Sequence, residues 1–221
     1  MASWEREPPL AAVPVTAYRY SAVGQPPLWS VGPRVTRATQ PSGRWHREGD
    51  GYAQYFALSL PAVWADLART QELTGAATRD IHVTLWMARV EEPRIANLGT
   101  FDALAACGLD PGLTIADDCV ASRALADELR DAGYTGVIAP SVALPGGQCL
   151  TLLGERRPAG AHETVPATVL GRYVTIEQVA RNAYPDVDEI AAARLRGTPH
   201  AEFEQWQRRS QDVPGNERHN A

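Results

Sequence analysis

The sequence predicts an α+β fold, and three observations predict it. Short apolar runs bounded by turn residues recur at 52–58, 81–90 and 136–139, each of a length that suits a strand. Helix-start and helix-stop signals fall between them, at Ser59 and at Gly133. Past Leu153 the composition changes, and beyond a connector the remainder reads as helices with start signals, so a helical C-terminal extension is expected.

Taken in order, Val13, Val15 and Tyr18 suit an edge strand that carries Arg19 between two tyrosines. Residues 8–47 contain Arg19, Arg34, Arg37, Arg44 and Arg47 but no Asp or Glu, which predicts a positive loop surface able to hold phosphate through forked guanidinium donors. Gly49, Asp50 and Gly51 are turn residues ahead of the 52–58 strand. Ser59 then caps a helix beginning at Leu60, with Pro61 in its first turn. Leu60, Val63, Trp64 and Leu67 follow the i, i+3, i+4, i+7 pattern of a buried face, and Asp66 sits mid-helix toward its border. In the 81–90 strand, Ile81, Val83, Leu85 and Met87 share one face and His82, Thr84 and Trp86 the other. A short helix at 101–107 and a connector at 108–112 lead to a helix over 122–132. It has Leu125 and Leu129 on one face and Gly133 as its left-handed cap. Pro140-Ser141 ends the 136–139 strand, and Gly-x-Ser-x-Gly is absent, so Ser141 is no hydrolase nucleophile. Residues 154–161 form a charged connector. Thr175-x-x-Gln178 and Asp186-x-x-Glu189 read as capping boxes, with Gly197 closing the second helix. A third helix over 201–209 carries Phe203 and Trp206, and 211–221 is expected to be disordered.

Composition bounds the chemistry. The 221 residues are 44% hydrophobic with net charge −5, enough for a sizeable core and too acidic for nucleic acid to be the main partner. No lysine occurs, which excludes Schiff bases, PLP attachment and a Walker-type phosphate lysine. Cys107, Cys119 and Cys149 are odd in number and lack a Cys-x-x-Cys pair, as expected of reduced thiols in a cytoplasm. None of the five histidines has metal-ligand spacing, so no metal is expected. Neither a secretory signal nor a membrane span is expected.

Gly43-Arg44-Trp45, then Tyr55, then Ser59-Leu60-Pro61-Ala62-Val63-Trp64-Ala65-Asp66 resembles the first half of the RES domain, a bacterial family named for its arginine, glutamate and serine. Tyr18-Arg19-Tyr20 upstream and Gly133-Tyr134-Thr135-Gly136-Val137-Ile138-Ala139-Pro140-Ser141 downstream extend the resemblance to roughly residues 17–155, ahead of Gly147 and the apolar run 150–153. It departs at one position, where the family's glutamate is Asp66. The resemblance implies a small mixed β-sheet framed by helices, similar to ADP-ribosyltransferases, as an NAD-binding domain over 1–160, with 161–221 as the helical extension. It also implies a toxin of a toxin–antitoxin pair that consumes NAD as substrate by phosphorolysis or hydrolysis, with phosphate as a possible co-substrate. The same family modifies proteins in some cases, and a degraded member would bind only nucleotide or a partner. By the resemblance, Arg44, Asp66 and Tyr55 are catalytic, and Arg19, Tyr20, Arg44, Tyr55 and Ser141 hold the nucleotide. A cognate antitoxin protein is the implied partner, and self-association stays open.

Overall fold

The computed structural model describes residues 3–25, 27–28, 41–48, 53–73, 80–154 and 174–212. The expected surface positions Arg34 and Arg37, the turn at Gly49 to Gly51, the boundary at 160/161 and all but the start of the expected disordered tail lie outside them. Seven strands form one mixed sheet. In chain order they are β1 (Val15–Ala22), β2 (Ala53–Ala57), β3 (Val83–Val90), β4 (Ile95–Asn97), β5 (Gly136–Pro140), β6 (Gln148–Leu153) and β7 (Val174–Ala183). The spatial order is β4-β5-β6-β2-β1-β3-β7; only β4 and β5 run parallel. The helices are α1 (Leu60–Thr70), α2 (Phe101–Ala106), α3 (Val120–Asp131), α4 (Val187–Ala191) and α5 (Ala201–Gln211).

The two faces of the sheet are covered differently because strand residues alternate between them. On one face Tyr18, Tyr20, Ala57, Val83 and Leu85 pack under α1 through Val63, Trp64 and Leu67. Along the same face, Tyr55, Val137, Ala139 and Leu153 meet Leu104, Leu125 and Leu129 of α2 and α3. On the other face, Val15, Ala17, Phe56, Ile138, Leu150 and Leu152 form a second apolar layer with Leu28. Each fully buried side chain of this kind contributes roughly 1.5–3 kcal/mol.

Helix α1 begins as its sequence indicates. The Ser59 hydroxyl accepts from the Ala62 amide at 3.4 Å, with Pro61 in the first turn. Gly133 leaves α3 at φ +81°, in the left-handed region that glycine enters without strain.

Three expectations are corrected. β1 is no edge strand, since it lies between β2 and β3. Thr175-x-x-Gln178 opens no helix: these residues belong to β7, which pairs with β3 from Val90↔Val174 to Val83↔Ala183, so the first described element of the expected helical extension is a strand of the main sheet. The β-branched Val174, Thr175 and Ile176 favour the extended backbone over the first turn of a helix. Gly197 closes no helix either, because α4 ends at Ala191 and Gly197 sits in the following loop at φ +76°. The Asp186/Glu189 capping box is present as expected.

Candidate active site

Strands β1 and β2 share a single register pair, Tyr18↔Ala57. Beyond it they part, and a cavity of about 740 Å³ occupies the opening. The separation lets three consecutive residues, Tyr18, Arg19 and Tyr20, all line one space. Alternation puts Tyr20 on the α1 side of the sheet, where it shares a side-chain hydrogen bond with Thr70. Arg19 goes to the opposite face. There its Nη1 donates to Gln54 Oε1, and its guanidinium carbon lies 5.5 Å from the centre of the Phe56 ring. Burial pulls the Arg19 pKa down to about 10, opposed by Tyr20 and Asp66.

The opposite lip is the loop that carries Arg44. Tyr55 on β2 is its anchor: the phenol oxygen accepts from the Trp45 amide at 3.1 Å and lies 2.8 Å from His46 Nδ1. Gly43 is required by close approach, since a Cβ there would stand 2.3 Å from the Tyr55 hydroxyl. Helix α3 fastens the loop from outside. Arg123 Nε donates to the Gly43 carbonyl at 2.8 Å, Arg130 Nη2 to the Trp45 carbonyl at 3.3 Å, and Arg47 pairs with Asp127. Arg44 itself is oriented by Nη1 donating to the Ala116 carbonyl at 2.8 Å. Burial raises the Tyr55 pKa and lowers that of Arg44, so at neutral pH the phenol is neutral and the guanidinium charged.

Asp66 projects from the middle of α1 into this cavity. Burial pushes its pKa up, while Arg69, Arg44 and Arg19 pull the other way. Among the described residues its carboxylate has no hydrogen-bond or ion-pair partner. The adjacent Arg69 is committed elsewhere: its Nη2 donates to Asp117 Oδ1 at 2.6 Å and its Nη1 to the Arg194 carbonyl at 3.0 Å. The result is a carboxylate inside an arginine-lined cavity, able to face a developing cation without first breaking a salt bridge.

Five of the six residues expected at the site therefore converge: Arg19, Tyr20, Arg44, Tyr55 and Asp66 line one cavity. Ser141 does not. It is fully buried, its hydroxyl accepting from the Ala143 and Leu144 amides and its carbonyl lying 3.0 Å from His200 Nε2. Its neighbours Ala139, Pro140 and Val142 form the wall instead, together with Cys149, whose thiol burial pushes up to about 12. Sequence reasoning missed Arg69, Asp117, Cys119, Arg123 and Arg196, which also line the cavity. Arg69 follows Asp66 at the i, i+3 spacing of neighbours on a helix surface, which could have marked it; the others carry no local signal. Among the described residues no cluster of three or more His, Cys, Asp or Glu could hold a metal ion, and no helix is long and apolar enough to cross a membrane.

Comparison with known proteins follows the same lines. The crystal structure of the Mycobacterium tuberculosis MbcT–MbcA toxin–antitoxin complex contains a chain that superposes with TM-score 0.53 at 21% identity, covering 75% of this chain and 84% of that one; at that identity the likeness is one of fold. A Mycobacterium tuberculosis protein named "Probable NAD(+) phosphorylase Rv3189" is 28% identical over 155 residues, 67% of this chain and 73% of the relative. The RES domain model matches residues 16–177, from the strand carrying Arg19 through the cavity walls and into β7. With its arginines, tyrosines and helix-borne acid gathered at one opening of the sheet, the chain belongs to the RES domain family.

Proposed function

We propose that this protein cleaves the nicotinamide–ribose bond of NAD and transfers the ADP-ribosyl group to inorganic phosphate. The observation that carries the reading is Asp66, a carboxylate without a protein partner among the described residues, inside a cavity lined by Arg19, Arg44 and Arg69. As the C–N bond breaks, its electron pair leaves with nicotinamide, whose ring loses its positive charge. Positive charge then grows on the ribose, where Asp66 stabilises it. A phosphate oxygen bonds the same carbon. Arg44, held by the Ala116 carbonyl, binds phosphate oxygens with its remaining donors, and Arg19 does the same from the other lip. Tyr55 and Tyr20 are neutral walls against which the nucleotide packs. The name of the 28% identical relative supports phosphate as the acceptor, and the antitoxin in the neighbour's complex supports a protein partner that restrains the activity.

The test is nicotinamide release by the purified chain with NAD, with and without phosphate, for wild type and Asp66→Asn. We expect phosphate-dependent release in wild type and a loss of at least about a hundredfold in Asp66→Asn, which keeps the shape but not the charge. Wild-type turnover by Asp66→Asn would remove the carboxylate from the chemistry. Equal rates without phosphate would make water the acceptor. Saturable NAD binding with no release would identify a binding protein in which the aspartate has replaced a functional glutamate.

A further inference from the structure

Arg196 lines the cavity although it lies beyond residue 177, where the family match ends. It enters on the loop between α4 and α5, and that loop is tied down on both sides of it. Before it, the Arg194 amide donates to the Ala143 carbonyl at 2.7 Å, and Arg194 Nη1 lies 3.3 Å from Asp117 Oδ1. After it, the Gly197 amide donates to Asp117 Oδ2 at 2.7 Å. Helix α5 anchors the far end, with Phe203 and Trp206 packed on Phe101 and the Trp206 indole donating to Asp102 at 2.7 Å. The backbone carrying Arg196 is thus fixed at the cavity.

Its guanidinium is not. Arg19, Arg44, Arg69 and Arg123, the other arginines of the lining, each spend at least one donor on Gln54, the Ala116 carbonyl, Asp117 or the Gly43 carbonyl. Among the described residues Arg196 has no hydrogen bond and no ion pair, and it is exposed. Asp66 makes no ion pair with it, and the other two aspartates of the lining are held elsewhere. Asp117 is taken by Arg69, Arg194 and Gly197, and Asp118 Oδ1 caps the Val120 amide at 3.1 Å.

We propose that Arg196 is a substrate-binding residue supplied by the C-terminal segment, recognising a phosphate group of the bound dinucleotide. The proposal rests on the NAD reading above for the identity of the ligand. If the nicotinamide ribose reaches Asp66, the pyrophosphate follows toward the mouth, where an exposed arginine with no partner among the described residues meets it. A planar fork of five donors suits phosphate oxygens better than a point charge does.

Calorimetric titration of the full chain with ADP-ribose and with inorganic pyrophosphate, beside steady-state kinetics with NAD, tests this. Arg196→Ala is expected to weaken both ligands about tenfold, the lower end for a charged hydrogen bond at an exposed site. KM for NAD should rise while kcat stays near wild type, because the contact is made equally in ground and transition states. Arg196→Lys should recover part of the loss, Arg208→Ala on exposed α5 should lose nothing, and the Arg196→Ala effect should shrink in high salt. Wild-type affinity and KM in Arg196→Ala overturn the proposal even if the chain turns over NAD. Conversely, Arg196-dependent pyrophosphate binding by a chain that never releases nicotinamide refutes the NAD reading and keeps an anion site at Arg196. Failure of wild type to bind either ligand overturns both.

Discussion

Asp117 is the joint between the RES core and the segment that follows it, and Asp117→Ala should loosen both. The carboxylate receives Arg69 at 2.6 Å, the Gly197 amide at 2.7 Å and Arg194 at 3.3 Å. Removing one partner of a fully buried ion pair costs about 3–5 kcal/mol. Here the Arg69 side chain is 7% exposed but that of Asp117 is 36%, so water can take over part of the lost solvation and about 2–3 kcal/mol is the expected total. For a chain of this size that lowers Tm by about 4–12 °C. Urea unfolding at neutral pH measures it, with an unchanged slope as the sign that only stability moved. The pH dependence supplies a second check. Burial alone would push the Asp117 carboxyl up, but the Gly197 amide, Arg69 and Arg194 more than offset it and hold it below the ordinary carboxylate range. A depressed folded pKa gives stability that is complete above the unfolded value, about 3.9, and is lost as pH falls through the folded one. The gap between wild type and Asp117→Ala should therefore be full above about pH 5 and close in stronger acid. A gap under about 0.5 kcal/mol at neutral pH, the range of an ordinary surface substitution, or one that persists unchanged into acid, would refute the reasoning.

Asp66 should behave oppositely in stability. Its folded pKa is raised by burial, so its contribution falls as pH rises through the window above the unfolded carboxylate value; Asp66→Asn should melt at or above wild type at pH 7, the difference closing toward pH 4, and a lower Tm at pH 7 would contradict this. Gly43→Ala should cost about 1–3 kcal/mol, the range for overpacking, because the added methyl meets the Tyr55 hydroxyl at 2.3 Å and His46 Cε1 at 2.8 Å. Thermal unfolding indistinguishable from wild type would show that the loop carrying Arg44 yields without penalty.

What was legible in the sequence was what local physics determines. Ser59 before Leu60-Pro61 marks α1 because the cap is satisfied within three residues, and Gly133 marks the end of α3 because only its own φ is at stake. β7 was not legible through the Thr175-x-x-Gln178 spacing, which imitates a capping box; the β-branched Val174, Thr175 and Ile176 were the better signal, and pairing with β3 decided the matter. The position of β1 inside the sheet was not legible at all, since its neighbours β2 and β3 are set by long-range pairing that strand periodicity does not encode.

The site divides in the same way. Helix phase fixes Asp66 at the border of the buried face of α1, and strand alternation separates Arg19 from Tyr20; what these side chains face depends on where β1 and β2 part, beyond Tyr18↔Ala57. Of the six residues that the resemblance names, five line one cavity and Ser141 does not. Ser141 follows β5 as a turn residue, and a turn serine satisfies neighbouring amides before it can reach a ligand; here its hydroxyl already holds Ala143 and Leu144. Arg69, Asp117 and Arg194 were invisible for a different reason. Contacts spanning 48 residues from Arg69 to Asp117 and 125 from Arg69 to Arg194 leave no spacing to read, yet they direct the Arg69 donors away from Asp66. Asp117, by accepting from Arg69, holds that guanidinium off Asp66, whose carboxylate has no ion-pair partner among the described residues.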